Sequence, residues 1–315
     1  MNNSRAKGIT LVIFGAMLWG VSGTVAQFLF QKNNFTPEWL VVIRLTLSGI
    51  LLLSYGLFKK DLDVKDIWKN KKDRITLISF SVLGMLTCQY TYFAAIKHSN
   101  AATATILEYL SPIIITCYMV FHNKKLPKLS QICAILLAII GSFLIITKGN
   151  INSLSISKLA LFYGLCAAFS NAIYTLLSAN LLKKYSSITI VGWGMLIGGL
   201  AFSFINPPWK FSGVLSLSTV SCIGFVVIFG TLIAFYCYLD SLNYILPTES
   251  STLACVEPVS TAFFSVIWLK ISFGLADFIG TACIITAIII LSYFNKNTSE
   301  DNNTSENNNK LNLNT

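Results

Sequence analysis

Charge is what this chain has least of: only 11% of its 315 residues are Asp, Glu, Lys or Arg, against roughly a quarter in a soluble domain. That excludes a water-facing globule, because there is too little polar side chain to cover one, so much of the exterior must face lipid. Histidine is nearly absent, with His98 and His122 the only two. The eight cysteines all fall inside apolar runs, form no CxxC pair and stand at no metal-ligand spacing from a histidine. They read as small buried hydrophobes, and neither a metal nor a cofactor is expected. There is no HExxH, no P-loop and no GxGxxG, which removes the usual sequence support for ATP-driven pumping.

What is abundant is apolar sequence, at 54%. A helix needs about 20 apolar residues to cross the hydrocarbon. Ten segments meet that need, at about 8–30, 37–58, 75–96, 101–121, 128–147, 158–181, 187–205, 215–239, 249–269 and 275–294. The fold class expected is an all-α polytopic membrane protein with ten transmembrane helices. Trp19-Gly20-Val21-Ser22-Gly23 lies inside the first segment rather than after it, which argues against a cleavable signal peptide. Residues 296–315 are Asn-rich without periodicity and read as a disordered tail.

The net charge of +10 raises the question of a nucleic-acid partner, but its distribution answers it. Lys59, Lys60, Lys65, Lys69, Lys71, Lys72 and Arg74 crowd one short loop beside four aspartates, and most other basic residues lie at the ends of apolar runs. That loop is a candidate for a helix on the membrane surface. With the N-terminus cytoplasmic, the loop, Arg5, Lys7, Lys124, Lys125, Lys128, Lys183, Lys184, Lys296 and Lys310 fall inside. Only Lys32, Lys97, Lys148, Lys158, Lys210 and Lys270 fall outside. The bias predicts a cell membrane protein with both termini cytoplasmic, whose partners are the lipid bilayer and a small molecule rather than nucleic acid.

An internal repeat carries the most information. A shift of 146 residues lays Gly84, Leu86, Tyr90 and Tyr92 on Gly230, Leu232, Tyr236 and Tyr238, Ile96 on Leu242, and Pro112 on Pro258. A slightly larger shift lays Gly15 on Gly164. The predicted units are 1–148 and 149–295, followed by the tail 296–315. Five helices per unit is an odd number, so the second copy enters the membrane upside down. Inverted repeats put a substrate site near the midplane and permit alternating access.

Leu18-Trp19-Gly20, Arg44, the run from Tyr92 to Pro112, Leu253-Ala-Cys-Val-Glu257-Pro258 and Gly141 resemble the EamA branch of the drug/metabolite transporter superfamily, over roughly residues 8–294. The resemblance implies ten helices, cytoplasmic termini and secondary transport of small metabolites, often amino acids or amines and often outward. The family commonly has a Gly-Glu pair after helices 4 and 9, where this chain has Asn123-Lys124 and Leu269-Lys270. No role of those glutamates carries over.

Ionisable groups inside a membrane are functional candidates because burying them costs several kcal/mol. Here they are Arg44, Glu108, Glu257 and, at a helix end, Asp240, with Glu249 at a helix mouth. Pro112 and Pro258 are the candidate hinges, since each lacks an N–H and frees the carbonyl four residues back, that of Glu108 and of Ala254. A carboxylate beside such a kink can bind an ammonium group or take up a proton. The competing reading is a paired or protonated glutamate that only fixes helix packing. Arg44 stays charged and needs an anionic partner, either one of the glutamates or a substrate carboxylate. With Glu257 it would suit a zwitterion. Trp19, Tyr90 and Tyr236 are the candidate aromatic surfaces and Asn171 the candidate polar aid, with Gln89 beside it. Residues two apart on a helix point to different faces, so only one of Tyr90 and Tyr92, and one of Tyr236 and Tyr238, can line a cavity.

Gly20-Val21-Ser22-Gly23 also matches the GxSG of intramembrane serine proteases. A nucleophile there needs a base within reach, and both histidines sit at helix ends on opposite predicted sides, so no enzyme is expected. The function expected is export of amino acids or related amines by alternating access, with protons as the candidate coupling ion and a monomer or homodimer as the assembly. The alternative is proton-coupled efflux of cationic drugs, which an aromatic cavity with an acidic residue also fits.

Overall fold

The structure, a computed structural model, describes residues 3–59, 63–123, 129–148, 150, 155–245, 250 and 253–290. The tail 296–315, Glu249, Lys60, Asp61 and Lys124 to Lys128 lie outside them. Among the described residues every regular element is helical. Seven helices are long and apolar enough to cross a membrane: α1 (Ser4–Lys32), α2 (Pro37–Phe58), α3 (Lys71–His98), α4 (Ala101–His122), α5 (Leu129–Thr147), α6 (Lys158–Leu181) and α8 (Leu217–Ser241). Three shorter apolar helices complete the bundle: α7 (Ser187–Ser203), α9 (Val256–Ile267) and α10 (Leu275–Ile290). The chain is a polytopic membrane protein.

The helices begin where polar side chains satisfy the first free N–H groups. Thr36 accepts from the Trp39 N–H ahead of α2, Asn100 from Thr103 at α4, Ser157 from Ala160 at α6 and Ser186 from Thr189 at α7. Ser216 and Thr219 cap α8 reciprocally. Asn70 starts α3 at Lys71, accepting from Lys72 and Asp73, four residues before the apolar run at 75. The charged 59–74 loop differs from a surface helix. Its described part holds one short turn, Asp63–Asp66, which folds onto the bundle: Val64 and Ile67 are buried, and the Trp193 Nε1–H donates to the Val64 carbonyl at 2.8 Å.

Packing interleaves the two halves of the chain. α2 lies along α7, α3 along α6, and α1 along both α8 and α9, while α4 also meets α6. α5 crosses α10 at Gly141 and Gly280, where a Cβ on either would come within 2.7 Å of the other's carbonyl oxygen. Exchanging α1–α5 with α6–α10 carries this set of pairs onto itself: α3–α6 becomes α8–α1, α1–α9 becomes α6–α4, and α2–α7 and α5–α10 are unchanged. α3 and α8 also share a distortion: both turn π-helical in mid-course, over Phe80–Leu86 and Ile228–Ile233. At those stretches Gly84 receives Tyr174 of α6, and Gly230 receives Ser22 of α1.

Candidate functional site

The helices that carry Pro112 and Pro258 are interrupted rather than bent. α4 is helical over Ala101–Glu108, turns at Tyr109 and Leu110, and resumes at Ser111. α9 begins at Val256 after a turn at Ala254 and Cys255. Pro112 and Pro258 thus sit in the first turn of a half-helix, where a missing N–H costs nothing, and the Ala254 carbonyl, four residues before Pro258, accepts instead from the Glu257 N–H at 2.9 Å. The breaks adjoin a cavity of about 640 Å³.

Five of the seven predicted site residues line this cavity: Trp19 from α1, Arg44 from α2, Glu108 from α4, Asn171 from α6 and Glu257 from α9. Pro112 is also in the wall, and Gln89 with it, whereas Pro258 is buried behind. Tyr90 and Tyr236 face elsewhere. The Tyr90 hydroxyl donates to Glu38 at 3.1 Å, with its ring against Tyr163 and Phe202. Tyr236 packs edge-on against Tyr55. Their neighbours Tyr92 and Tyr238 line the cavity in their place. The cause is the period of the helix: two residues subtend about 200°, so the partner of an outward tyrosine points in. Asp240 lies outside the wall and accepts from Asn243 at 3.1 Å.

Arg44 is 4% exposed. Its Nε–H donates to Thr231 Oγ1 at 3.1 Å, and its guanidinium carbon stands 4.7 Å from the centre of the Phe93 ring. Thr231 is oriented in turn by its own bond to the Val226 carbonyl, five residues back across the π-helical stretch of α8. Among the described residues no carboxylate approaches Arg44 within 4.0 Å, so the two Nη groups are left facing the cavity. Glu108 Oε1 accepts from the Cys88 thiol at 3.1 Å and from Asn171 Nδ2 at 3.3 Å. Glu257 Oε2 lies 3.1 Å from the Tyr109 hydroxyl, which is also 2.9 Å from the Ala254 carbonyl oxygen. One wall is aromatic, with Trp19 5.0 Å from Phe235 and 5.3 Å from Tyr238 between ring centres.

Tyr109 and Cys88 escaped the sequence reading, although Tyr109 adjoins Glu108 and precedes Pro112 by three residues. Ser22, the serine of the GxSG match, is pressed against Gly230, and its hydroxyl has no hydrogen-bond partner. Neither histidine stands near it: the His98 ring stacks on Tyr163 and the His122 ring on Tyr118, at the helix ends.

Among the described residues, access is one-sided. The wall extends through Ser178 and Leu182 to Ser187 at the α6–α7 turn and through Leu242 after α8. This is also the side of the start of α1, where Lys7 donates to the Tyr244 hydroxyl at 2.7 Å. At the other end Phe30, Phe93, Ile96 and Ala101 are buried against one another. There Gln27 Oε1 accepts from the Ala101 N–H at 2.8 Å, and the Trp39 Nε1–H donates to the Pro208 carbonyl at 2.7 Å.

Interrupted helices around a charged cavity, open at one end inside a membrane bundle, define a membrane transporter rather than a channel or a soluble receptor. The chain belongs to the EamA-like transporter family, whose model matches twice, over residues 6–147 and 158–293. It is 38% identical over 292 residues to the inner membrane transporter YicL of Salmonella typhimurium, covering 92% of this chain and 96% of that one. It is 24% identical to a transporter of Archaeoglobus fulgidus, covering 90% and 95%. With a chloroplastic WAT1-related protein of Arabidopsis thaliana it shares 22%, covering 90% and 69%. A protein known from a crystal structure has the same fold at 15% identity, with a TM-score of 0.62 over 93% of this chain and 99% of that one.

Proposed function

We propose that this protein is a secondary transporter that exports amino acids or related amines by alternating access. The observation that carries the proposal is the buried Arg44, whose free Nη groups share a cavity with the carboxyl groups of Glu108 and Glu257. A zwitterion meets both needs, its carboxylate on the guanidinium fork and its ammonium group among carboxyl and carbonyl oxygens. Burying a guanidinium with no carboxylate in direct contact is costly, and a substrate carboxylate that pairs with it lowers that cost only while it is bound. Trp19, Asn171 and the inward tyrosines give its side chain an apolar and partly polar surface.

On this reading all ten apolar helices cross the membrane, as two inverted five-helix repeats with both termini cytoplasmic. The doubled family match, the exchange symmetry of the helix pairs and the paired π-helical stretches support that arrangement. The one-sided cavity is then the cytoplasm-facing member of two alternating states, and protons are the coupling ion, carried by Glu257 or Glu108. Efflux of cationic drugs is the competing reading, favoured by the aromatic wall. The guanidinium of Arg44 opposes it, because a cation would enter beside a fixed positive charge.

Counterflow in proteoliposomes tests the proposal without assuming a driving ion. Purified protein is offered labelled amino acids, the matching amines and cationic dyes. Saturable exchange of one or a few amino acids is expected; exchange of dyes with silence for amino acids would overturn it.

A further inference from the structure

The two carboxyl groups of the cavity look alike in the sequence, but their hydrogen-bond partners differ in kind. Glu108 Oε1 faces two donors, the Cys88 thiol at 3.1 Å and the Asn171 amide at 3.3 Å. An ionised carboxylate can only accept, and this is the setting of one. Glu257 has a single side-chain partner, the Tyr109 hydroxyl at 3.1 Å. A phenol carries one proton, and this hydroxyl has a nearer claimant for it, the Ala254 carbonyl oxygen at 2.9 Å. That carbonyl can never donate; Pro258 denies it the usual helical N–H, and the Glu257 N–H at 2.9 Å takes one of its two lone pairs, leaving the other for the hydroxyl. With the Tyr109 proton committed to Ala254, two bare oxygens would face each other at the Glu257 contact unless Glu257 brings a proton of its own.

We infer that in this conformation Glu257 is held as a neutral carboxylic acid and Glu108 as the carboxylate, with Tyr109 the positioning residue that enforces the division. The inference rests on the proton-coupled transport reading only for its use, and it deepens that reading by choosing between the two candidate proton carriers. Charge balance supports it independently. Arg44 stays positive and shares the cavity with both glutamates. One carboxylate neutralises the cavity, whereas two would leave an unbalanced negative charge in a medium of low permittivity.

The ionisable groups facing Glu257 are Tyr109 and Glu108 from α4, Arg44 from α2, Cys88 and Tyr92 from α3, and Cys255 beside it. α1 packs on α9 through Gly20 and brings no ionisable group there. Loss of the Glu257 proton to water at the open end of the cavity reverses the bonding. The new carboxylate draws the Tyr109 proton to itself, and the Ala254 carbonyl loses its side-chain partner. Tyr109 sits at the break of α4 and Ala254 at the break before α9. Protonation of Glu257 therefore decides whether a hydroxyl from one interrupted helix pins the Ala254 carbonyl at the break before the other.

Infrared difference spectroscopy of the purified protein in lipid nanodiscs, with no substrate added, tests this directly. At neutral pH the wild type should show the C=O stretch of a buried carboxylic acid, distinct from the carboxylate bands. Glu257→Gln should remove it, Glu108→Gln should leave it, and Tyr109→Phe should move it to higher frequency as the acid loses its acceptor. A wild type without the band overturns the inference whether or not any variant folds. So does a band that Glu108→Gln removes, and a band unmoved by Tyr109→Phe removes the positioning role. Because no cargo is involved, silence in counterflow would sink the transport reading and leave this result standing.

Discussion

The contact between α1 and α8 offers a sharp test of the packing. A Cβ on Gly230 would overlap the Oγ and Cβ of Ser22, and the next nearest atom is Ser22 Cα at 3.6 Å. One side chain therefore accounts for the whole obstruction. Overpacking of this kind costs about 1–3 kcal/mol, and replacing glycine by alanine within a helix returns about 0.8–1.0 kcal/mol. Gly230→Ala should thus destabilise by up to about 2 kcal/mol. Ser22→Gly empties the space that the new methyl needs. It also removes a buried hydroxyl that has no partner in this state, and leaving such a group unsatisfied costs about 1–3 kcal/mol. The double variant should return close to wild type, with a favourable coupling of about 1–3 kcal/mol between the two sites. At about 2–4 °C per kcal/mol, the figure for domains of 150–250 residues, the single substitution lowers the melting point by several degrees and the second restores most of it. The assay is the surviving monodisperse fraction after heating in detergent, read by size-exclusion chromatography. Additive losses in the double variant would refute the packing, because Ser22 would then not be what Gly230 accommodates.

Arg44→Lys keeps the charge but loses the planar fork; with charged hydrogen bonds worth about 1.5–3 kcal/mol, KM in amino-acid counterflow should rise by about ten- to a hundredfold. In a background without the eight native cysteines, Ser178→Cys and Leu182→Cys should react with an impermeant maleimide from one face of the membrane only, and Gln27→Cys from neither; equal labelling from both faces would contradict one-sided access. Trp39→Phe removes the 2.7 Å bond to the Pro208 carbonyl and should cost about 1 kcal/mol in the heating assay. Asp73→Asn weakens the contacts of a side chain that is 8% exposed and accepts from both Lys184 and the Tyr185 hydroxyl, and the same assay should show a loss of about 1–3 kcal/mol.

Much of the fold was legible because a membrane span is a local property. Each long apolar run became a helix, and the caps at Thr36, Asn100, Ser157 and Ser186 fall where the runs begin. The start of α3 was not legible from hydropathy. Lys71, Lys72, Asp73 and Arg74 belong to its first turn, started by Asn70 rather than by apolar character. The choice within each tyrosine pair escaped for another reason. A π-helical turn inserts a residue without advancing the helix and so rotates everything after it by about 100°. Tyr90 and Tyr92 follow one such turn, and Tyr236 and Tyr238 follow the other. Counting from the start of either helix with a period of 3.6 then assigns the faces wrongly, and no residue type marks where the extra residue sits.

The candidate site divides along the same line. That Pro112 and Pro258 would free the carbonyls of Glu108 and Ala254 follows from the chemistry of proline four residues away. Which side chain joins the Glu257 N–H on the second carbonyl does not, because Tyr109 reaches Ala254 across 145 positions and Glu257 across 148. The guanidinium of Arg44 is likewise held by Thr231, 187 positions on, in the other half of the chain. In a chain with so few charges, the chemical difference between Glu108 and Glu257 comes from partners that only the folded bundle supplies. A thiol and an amide donate to the first, and a hydroxyl already committed elsewhere meets the second. The pattern of the sequence selects the carboxyl groups, and the interleaving of the two halves decides which of them carries the proton.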